Sequence, residues 1–284
     1  MRPLFNKVVI VGVGLIGSSI GMNLIKRKLA KEVIGVGRRR ANLREAVRRR
    51  AVHRFVGVQN FKPLQARLSE NDLVILATPV REIIRCLGVV SSKPLVMDVG
   101  STKSSIVKAA EKNRIRFVGS HPIAGTEKSG AGAGEIDLFR KRVCILVPSR
   151  FSGKMDAPKI RRFWGLLGSR VITTNAARHD RLLAVLSHLP HTIAYTLVRT
   201  VSRLVSKKEC GQLAFGSLKG MTRVAESPPE MWHDIFLENR DLVLKGLDLY
   251  LAELAKLRSF LLKKDSARLL GYLRQSQKIR LKMK

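Results

Sequence analysis

The residues best suited to chemistry lie in one stretch, Phe117-Val-Gly-Ser-His121-Pro-Ile-Ala-Gly-Thr126-Glu127-Lys128-Ser-Gly130, where an apolar run stops at a histidine and gives way to small residues. A histidine at the carboxyl end of a parallel strand sits where open α/β sheets bind ligands, and an ordinary pKa of about 6.5 lets it take a proton at neutral pH. A histidine before proline equally suits a plain turn, so its role depends on what else the chain brings near it. Ser101, in Gly100-Ser101-Thr102-Lys103, is the second candidate. It follows the apolar run 93–99 and precedes a helical run at 105–112, where serine caps a helix, binds a ligand, or does both. His188 and His191 are three apart on one helical face interrupted by Pro190. There they face a ligand or satisfy backbone groups that the kink sets free.

A second pattern binds rather than reacts. The chain opens with the apolar run 7–11, then Gly12-Val-Gly14-Leu15-Ile16-Gly17-Ser, then a helical pattern to Lys28. In this strand-to-helix context Gly12 permits the tight turn, Gly14 lets backbone approach a pyrophosphate, and Gly17 lets the helix pack on the strand. Amides at the helix start, around Leu15 and Ile16, receive the phosphates. A dinucleotide is therefore expected, with Thr78 and Pro79, after the buried strand 71–77, beneath its nicotinamide half. An Asp or Glu after the second strand, 32–36, would accept the ribose hydroxyls of NAD; Gly37 stands there instead, followed by Arg38-Arg39-Arg40. Guanidinium forks bind phosphate, so NADP is expected over NAD, with Arg38 and Arg39 as the contacts.

The elements that must position these residues alternate strand and helix up to a helix at 155–167 and a strand at 170–174, after which everything reads helical. A 284-residue chain with 45% hydrophobic residues supports about two domains, placed here at 1–174 and 175–284. The fold class expected is an α/β Rossmann-type dinucleotide-binding domain followed by an all-α domain for substrate and dimerisation. Ser227-Pro-Pro-Glu230 has the form of a capping box opening a long helix to about 263, on which Leu247, Leu251, Leu254, Leu257 and Leu261 form an apolar stripe for the core or a subunit interface. A last helix, 265–283, is expected to close the chain without a regulatory domain after it.

Composition excludes several classes. Apolar runs such as 8–13 fall far short of the ~20 residues of a membrane span, so no membrane partner is expected. The amino terminus lacks a signal core, which points to a cytoplasmic protein. Cys86, Cys144 and Cys210 are far apart, with neither disulfide nor metal-site spacing. The 54 Lys+Arg against 21 Asp+Glu, net +33, predict affinity for polyanions. That charge is spread along the chain and no nucleic-acid-binding motif accompanies it, so nucleic acid is not an expected partner.

The chain resembles the prephenate/arogenate dehydrogenases of tyrosine biosynthesis. The resemblance rests on Val-Gly-Leu-Ile-Gly-Ser (13–18), Gly-Ser-Thr-Lys (100–103), Gly-Ser-His-Pro-Ile-Ala-Gly-Thr-Glu-Lys-Ser-Gly (119–130), Ser-His-Leu-Pro-His (187–191) and Leu-Lys-Gly-Met-Thr-Arg (218–223). It implies hydride transfer from prephenate or arogenate to NAD(P), with His121 as base for the ring hydroxyl and Ser101 holding that hydroxyl or orienting the imidazole. It further implies Arg223 as a carboxylate clamp, His191, Thr126, Glu127 and Lys128 lining the substrate side chain, and a homodimer through the helical domain; no metal is expected, from the cysteine spacing. The family's acidic residue after the second strand is replaced by Gly37. Two rivals share parts of the pattern: a related dehydrogenase acting on a 3-hydroxy acid or imine, and a non-enzymatic NADP- or nucleic-acid-binding protein.

Overall fold

A computed structural model describes residues 2–126, 128–213 and 216–283. Eight strands form one sheet: β1 (Phe5–Val11), β2 (Ala30–Gly37), β3 (Arg54–Gly57), β4 (Leu73–Leu76), β5 (Leu95–Asp98), β6 (Phe117–Pro122), β7 (Val143–Pro148) and β8 (Arg170–Thr173). Their order is β3-β2-β1-β4-β5-β6-β7-β8. Pairing is parallel except between β6 and β7, where His121 lies opposite Ile145. The strand order reverses between β1 and β4, the switch point at which such sheets bind ligands beyond their carboxyl ends.

Strand periodicity explains the two-sided core. Val8 and Ile10 of β1 face one helical layer with Leu24, Phe163 and Trp164, while Val9 and Val11 face the other with Ile83, Leu87 and Ile106. All of these side chains are buried, and each stabilises the fold by about 1.5–3 kcal/mol. The sheet's helices are α1 (Leu15–Lys26), α2 (Arg40–Arg48), α3 (Phe61–Gln65), α4 (Val80–Leu87), α5 (Ser104–Lys112) and α6 (Asp156–Leu166). Strand β3 was not expected from the sequence, because its four residues at the sheet edge begin with an arginine and end with a glycine.

Beyond β8 run α7 (Ala176–Leu183), a π-helical turn (Ala184–His188), α8 (Leu189–Leu204), α9 (Lys207–Leu213), α10 (Ser217–Thr222), α11 (Pro229–Glu238), α12 (Arg240–Leu262) and α13 (Ser266–Lys282). The chain divides into two compact units between Asn239 and Arg240. The helix expected from Ser227 to 263 is thus two helices, interrupted at Asn239. Ser227 does not cap α11, whose N-cap is Pro228 with no side-chain hydrogen bond. Pro190 lies in the first turn of α8, where a missing amide costs nothing, and the helical irregularity precedes it as the π-turn. Asp265 caps α13 by accepting the amide of Arg268. Among the described residues no helix is long and apolar enough to cross a membrane.

Candidate active site

His121 stands near the carboxyl end of β6, half-buried. Its Nδ1 lies 2.8 Å from Nε2 of His179, and Nδ1 of His179 lies 2.7 Å from Oδ1 of Asp180, both from α7. The carboxylate of Asp180 also accepts the amides of Lys103 (2.8 Å) and Ser104 (2.7 Å) at the start of α5. These bonds fix the protons by elimination. A carboxylate only accepts, so His179 donates from Nδ1 and accepts at Nε2; His121 must then donate from Nδ1, which leaves its Nε2 as a bare acceptor. Two histidines and an aspartate in series hold the imidazole in the tautomer that a proton acceptor needs.

Electrostatics push the same way. Burial holds His121 well below its ordinary pKa, and repulsion from Lys103 and from any protonated form of His179 or His188 acts the same way. Burial also lowers His179, against the pull of Asp180. In Asp180 burial acts upward, but hydrogen bonds from His179 and Ser104 outweigh it and hold the carboxyl below its ordinary value. The result is a neutral pair of rings over a charged carboxylate. Ser101 lies on the loop between β5 and α5, half-buried, and its hydroxyl makes no hydrogen bond to a described residue. Capping of α5, considered for Ser101, falls instead to Asp180, which reaches the helix from 76 residues away in sequence.

The glycine loop has the geometry its three positions demand. Gly12 adopts φ +92°, and a Cβ there would lie 2.5 Å from the carbonyl of Ala77. At Gly17 a Cβ would meet the Gly12 carbonyl at 2.2 Å. Gly14 differs: a Cβ would meet nothing within 4 Å, and this N-cap of α1 has no side-chain hydrogen bond to its terminal amides, which begin at Leu15 and Ile16. The open space and the uncapped helix terminus together form a cradle for a phosphate. Thr78, beside Gly12, has a buried hydroxyl without a partner, and Pro79 follows it as the N-cap of α4. These residues fit a bound dinucleotide. A cleft of about 400 Å³ beyond β2 is lined by Gly37, Arg38, Arg40, Leu43, Arg44 and Phe55, among others. Arg38 also borders a neighbouring cleft of about 510 Å³ with Pro79 and Arg81. Arg39 lines neither and is the N-cap of α2.

On the helical side, His191 stacks on Trp232 of α11 with ring centroids 3.6 Å apart. Its Nδ1 donates to the Ser187 carbonyl (2.8 Å), which turns Nε2 outward as an acceptor. Burial, with the charge of Arg223, holds His191 below its ordinary pKa against the pull of Ser187. Trp232 is itself buried, with its indole N–H unpartnered. Arg223 is exposed at the junction of α10 and the turn Arg223–Glu226. His188 is buried; Asn239 donates to its Nδ1 (3.1 Å) and to the Asp180 carbonyl (2.9 Å), so the ring is neutral with its proton on Nε2. Burial pushes His188 down to about 4. Thr126 is half-buried and accepts the amide of exposed Lys128 (3.3 Å); neither joins the His121 network. Glu127 lies outside the described residues.

The structure therefore joins His121 to two residues that the sequence did not single out, His179 and Asp180. The adjacent His-Asp pair at the start of the helical half was the available signal. Lys103 lies in the Gly-Ser-Thr-Lys motif but only Ser101 was singled out from it, Asn239 was missed for want of any local pattern, and Trp232 because a tryptophan on a helix reads as core.

A family model for "Prephenate dehydrogenase, nucleotide-binding domain" matches residues 20–173, and one for "Prephenate dehydrogenase, dimerization domain" matches 175–275. A cyclohexadienyl dehydrogenase of Zymomonas mobilis is 35% identical, covering 99% of this chain and 97% of its own. Among solved structures, a prephenate dehydrogenase of A. aeolicus in complex with hydroxyphenyl propionate and NAD+ superposes with a TM-score of 0.88 at 29% identity, covering 99% of both chains. An arogenate dehydrogenase of Synechocystis gives a TM-score of 0.77 at 27% identity, over 98% of this chain and 100% of that one.

Proposed function

The chain belongs to the prephenate dehydrogenase family, and from that premise we propose that it oxidises prephenate to 4-hydroxyphenylpyruvate with loss of carbon dioxide. One observation carries the proposal: the Asp180–His179–His121 series ends in an acceptor that no described residue engages, His121 Nε2, at a strand end of a dinucleotide-binding sheet. The Gly12–Gly17 loop would hold the pyrophosphate of a dinucleotide and Thr78 and Pro79 its nicotinamide half, which would supply the acceptor for the hydride that leaves C4 of the ring. His121 takes the proton of the C4 hydroxyl at Nε2, and the Ser101 hydroxyl holds the same oxygen. The bond to the ring carboxylate breaks, carbon dioxide leaves, its bonding electrons aromatise the ring through the C4 carbonyl, and the proton returns from His121 to the C4 oxygen. His179 and Asp180 hold the tautomer and stabilise the imidazolium as it forms. Arg223 binds a substrate carboxylate through its fork of donors, while His191, Thr126 and Lys128 line the side chain.

Finer assignments follow from the same residues. NADP is preferred, because Gly37 stands where an acid would select NAD and the adjoining cleft is lined by Arg38, Arg40 and Arg44; Arg39 contributes charge from the helix start. The relative from A. aeolicus is described with NAD+, so a higher or equal kcat/KM with NAD here would remove the preference. Arogenate is the second substrate, on the strength of the Synechocystis relative. Reduction of NAD and NADP measured with prephenate and with arogenate tests the whole assignment, and no turnover in any of the four combinations would overturn it. Ahead of the break at Asn239–Arg240, the meeting of the two matched family regions supports a boundary at 174/175 between the cofactor and helical domains. A homodimer forms through the latter: Leu251, Leu254 and Leu261 of α12 are 43–57% exposed in the single chain, which favours an interface over a core.

A further inference from the structure

The polar groups around His121 form a closed circuit, and Lys103 is the residue that closes it. Lys103 is fully buried, and its ammonium spends all three donors: on Asp98 Oδ2 (2.6 Å), the Gly100 carbonyl (2.7 Å) and the Thr102 carbonyl (3.0 Å). Those two carbonyls flank Ser101 on either side. Asp98 in turn accepts the amide of Gly100 (2.7 Å) and that of Ser120 (3.2 Å), the residue immediately before His121. The backbone amide of Lys103 donates to Asp180, the far end of the histidine series (2.8 Å). One residue thus binds the Ser101 loop, the strand leading into His121, and the carboxylate that sets the imidazole tautomer.

A buried ion pair is a weak source of stability, since well-packed apolar side chains of similar volume commonly serve as well or better. Its placement between two proposed site residues is better explained by what it holds and by the charge it brings. We propose that Lys103 is a positioning residue for the oxidation, fixing the Ser101 hydroxyl and the His121 imidazole in one arrangement and keeping a positive charge beside the base. The charge disfavours protonation of the resting imidazole, so Nε2 stays available. The titratable groups facing His121 are His179 and Asp180 of α7, His188 of the π-turn, Asp98 of β5, Lys103, and Cys144 of β7, whose thiol burial keeps protonated. Of these, Lys103 is the only fixed positive charge.

The inference rests on His121 being the base, and the test separates the two. Lys103→Met alone leaves Asp98 buried without its partner and endangers folding; Asp98→Asn/Lys103→Met removes both charges together. Each variant is compared with wild type for kcat, for KM of the dinucleotide, and for titration of the His121 ring by NMR of histidine-labelled protein, assigned with His121→Asn. The double variant is expected to lose kcat on the order of 10²-fold, as a misplaced catalytic group does, with cofactor KM unchanged, and Lys103→Met, which removes the positive charge alone, is expected to make His121 titrate at higher pH than in wild type. A folded double variant with kcat within threefold of wild type overturns the proposal, as does a loss of kcat with the His121 titration unmoved in Lys103→Met. If His121→Asn keeps its activity, the base assignment fails instead, while the titration still reports whether Lys103 acts on the ring.

Discussion

The two ligand-facing ends of the sheet treat their polar groups in opposite ways. At the ends of β5 and β6, His121, His179, Asp180, Lys103 and Asp98 are tied into one hydrogen-bonded network through side chains and backbone amides, with His121 Nε2, the Ser101 hydroxyl and the buried hydroxyls of Thr102 and Ser105 left over. At the ends of β1, β2 and β4 the groups are left open: space over Gly14, an uncapped helix terminus, the unpartnered Thr78 hydroxyl and exposed arginines after Gly37. The first region is preorganised by the protein alone, as a reacting centre must be if reorganisation is not to be repeated each turnover. The second is completed by what it binds. Substitutions at the first should therefore act on kcat, and at the second on KM.

The sharpest way to break this contrast is His121→Asn. Removing a general base lowers kcat by about 10²–10⁴-fold with little change in KM. A kcat within a factor of three of wild type would take proton transfer away from His121. Arg223→Ala should do the reverse, raising KM for the substrate by roughly 10–100-fold, the scale of a charge-assisted hydrogen bond, with a smaller change in kcat. An unchanged KM would move the carboxylate site elsewhere. Within the glycine loop the contrast can be drawn between neighbours. Gly14→Ala leaves the fold intact, because nothing protein-borne meets the new methyl, and raises cofactor KM by about tenfold through overpacking against the phosphate. Gly17→Ala drives its methyl into the Gly12 carbonyl and lowers Tm as well. Equal effects of the two on cofactor KM, at unchanged Tm, would deny Gly14 its special openness.

The same contrast explains what could be read without a structure. The glycine loop, the apolar strands and the histidine at a strand end are written in consecutive residues, so local pattern finds them. The partners of His121 are not: His179 is 58 residues downstream, and it arrives only because α7 packs beside the sheet. Asp180 caps a helix 76 residues upstream, a role that local spacing assigned to Ser101. Asn239 interrupts an apparently continuous helical stripe as the C-cap of α11, and its side chain bonds His188 and the Asp180 carbonyl, 51 and 59 residues away. Saturated polar networks are long-range objects: the Gly-Ser-Thr-Lys motif shows that Lys103 is present, but not that it is buried against Asp98.

The smallest expected effect concerns stability, and it also divides the two regions. His121, His179 and His188 are all held below their ordinary value of 6.5 by burial, His188 at about 4. In the unfolded chain they titrate near 6.5, so below that pH the unfolded state binds more protons and stability rises with pH. Their contribution is complete above about pH 6.5 and is lost as pH falls through the folded values. Asp180, lowered by its hydrogen bonds, contributes above its ordinary 3.8 and is lost only at more acid pH. Thermal unfolding should therefore be level from pH 8 to about 7 and decline toward pH 4, with the histidines responsible for the first part. His188→Gln should flatten that part of the decline, whereas changes among the exposed arginines of the cofactor side should leave it alone. A Tm that holds or rises between pH 7 and 5 would mean that the rings around His121 are already protonated in the folded protein, and the preorganised base would then have no lone pair to offer.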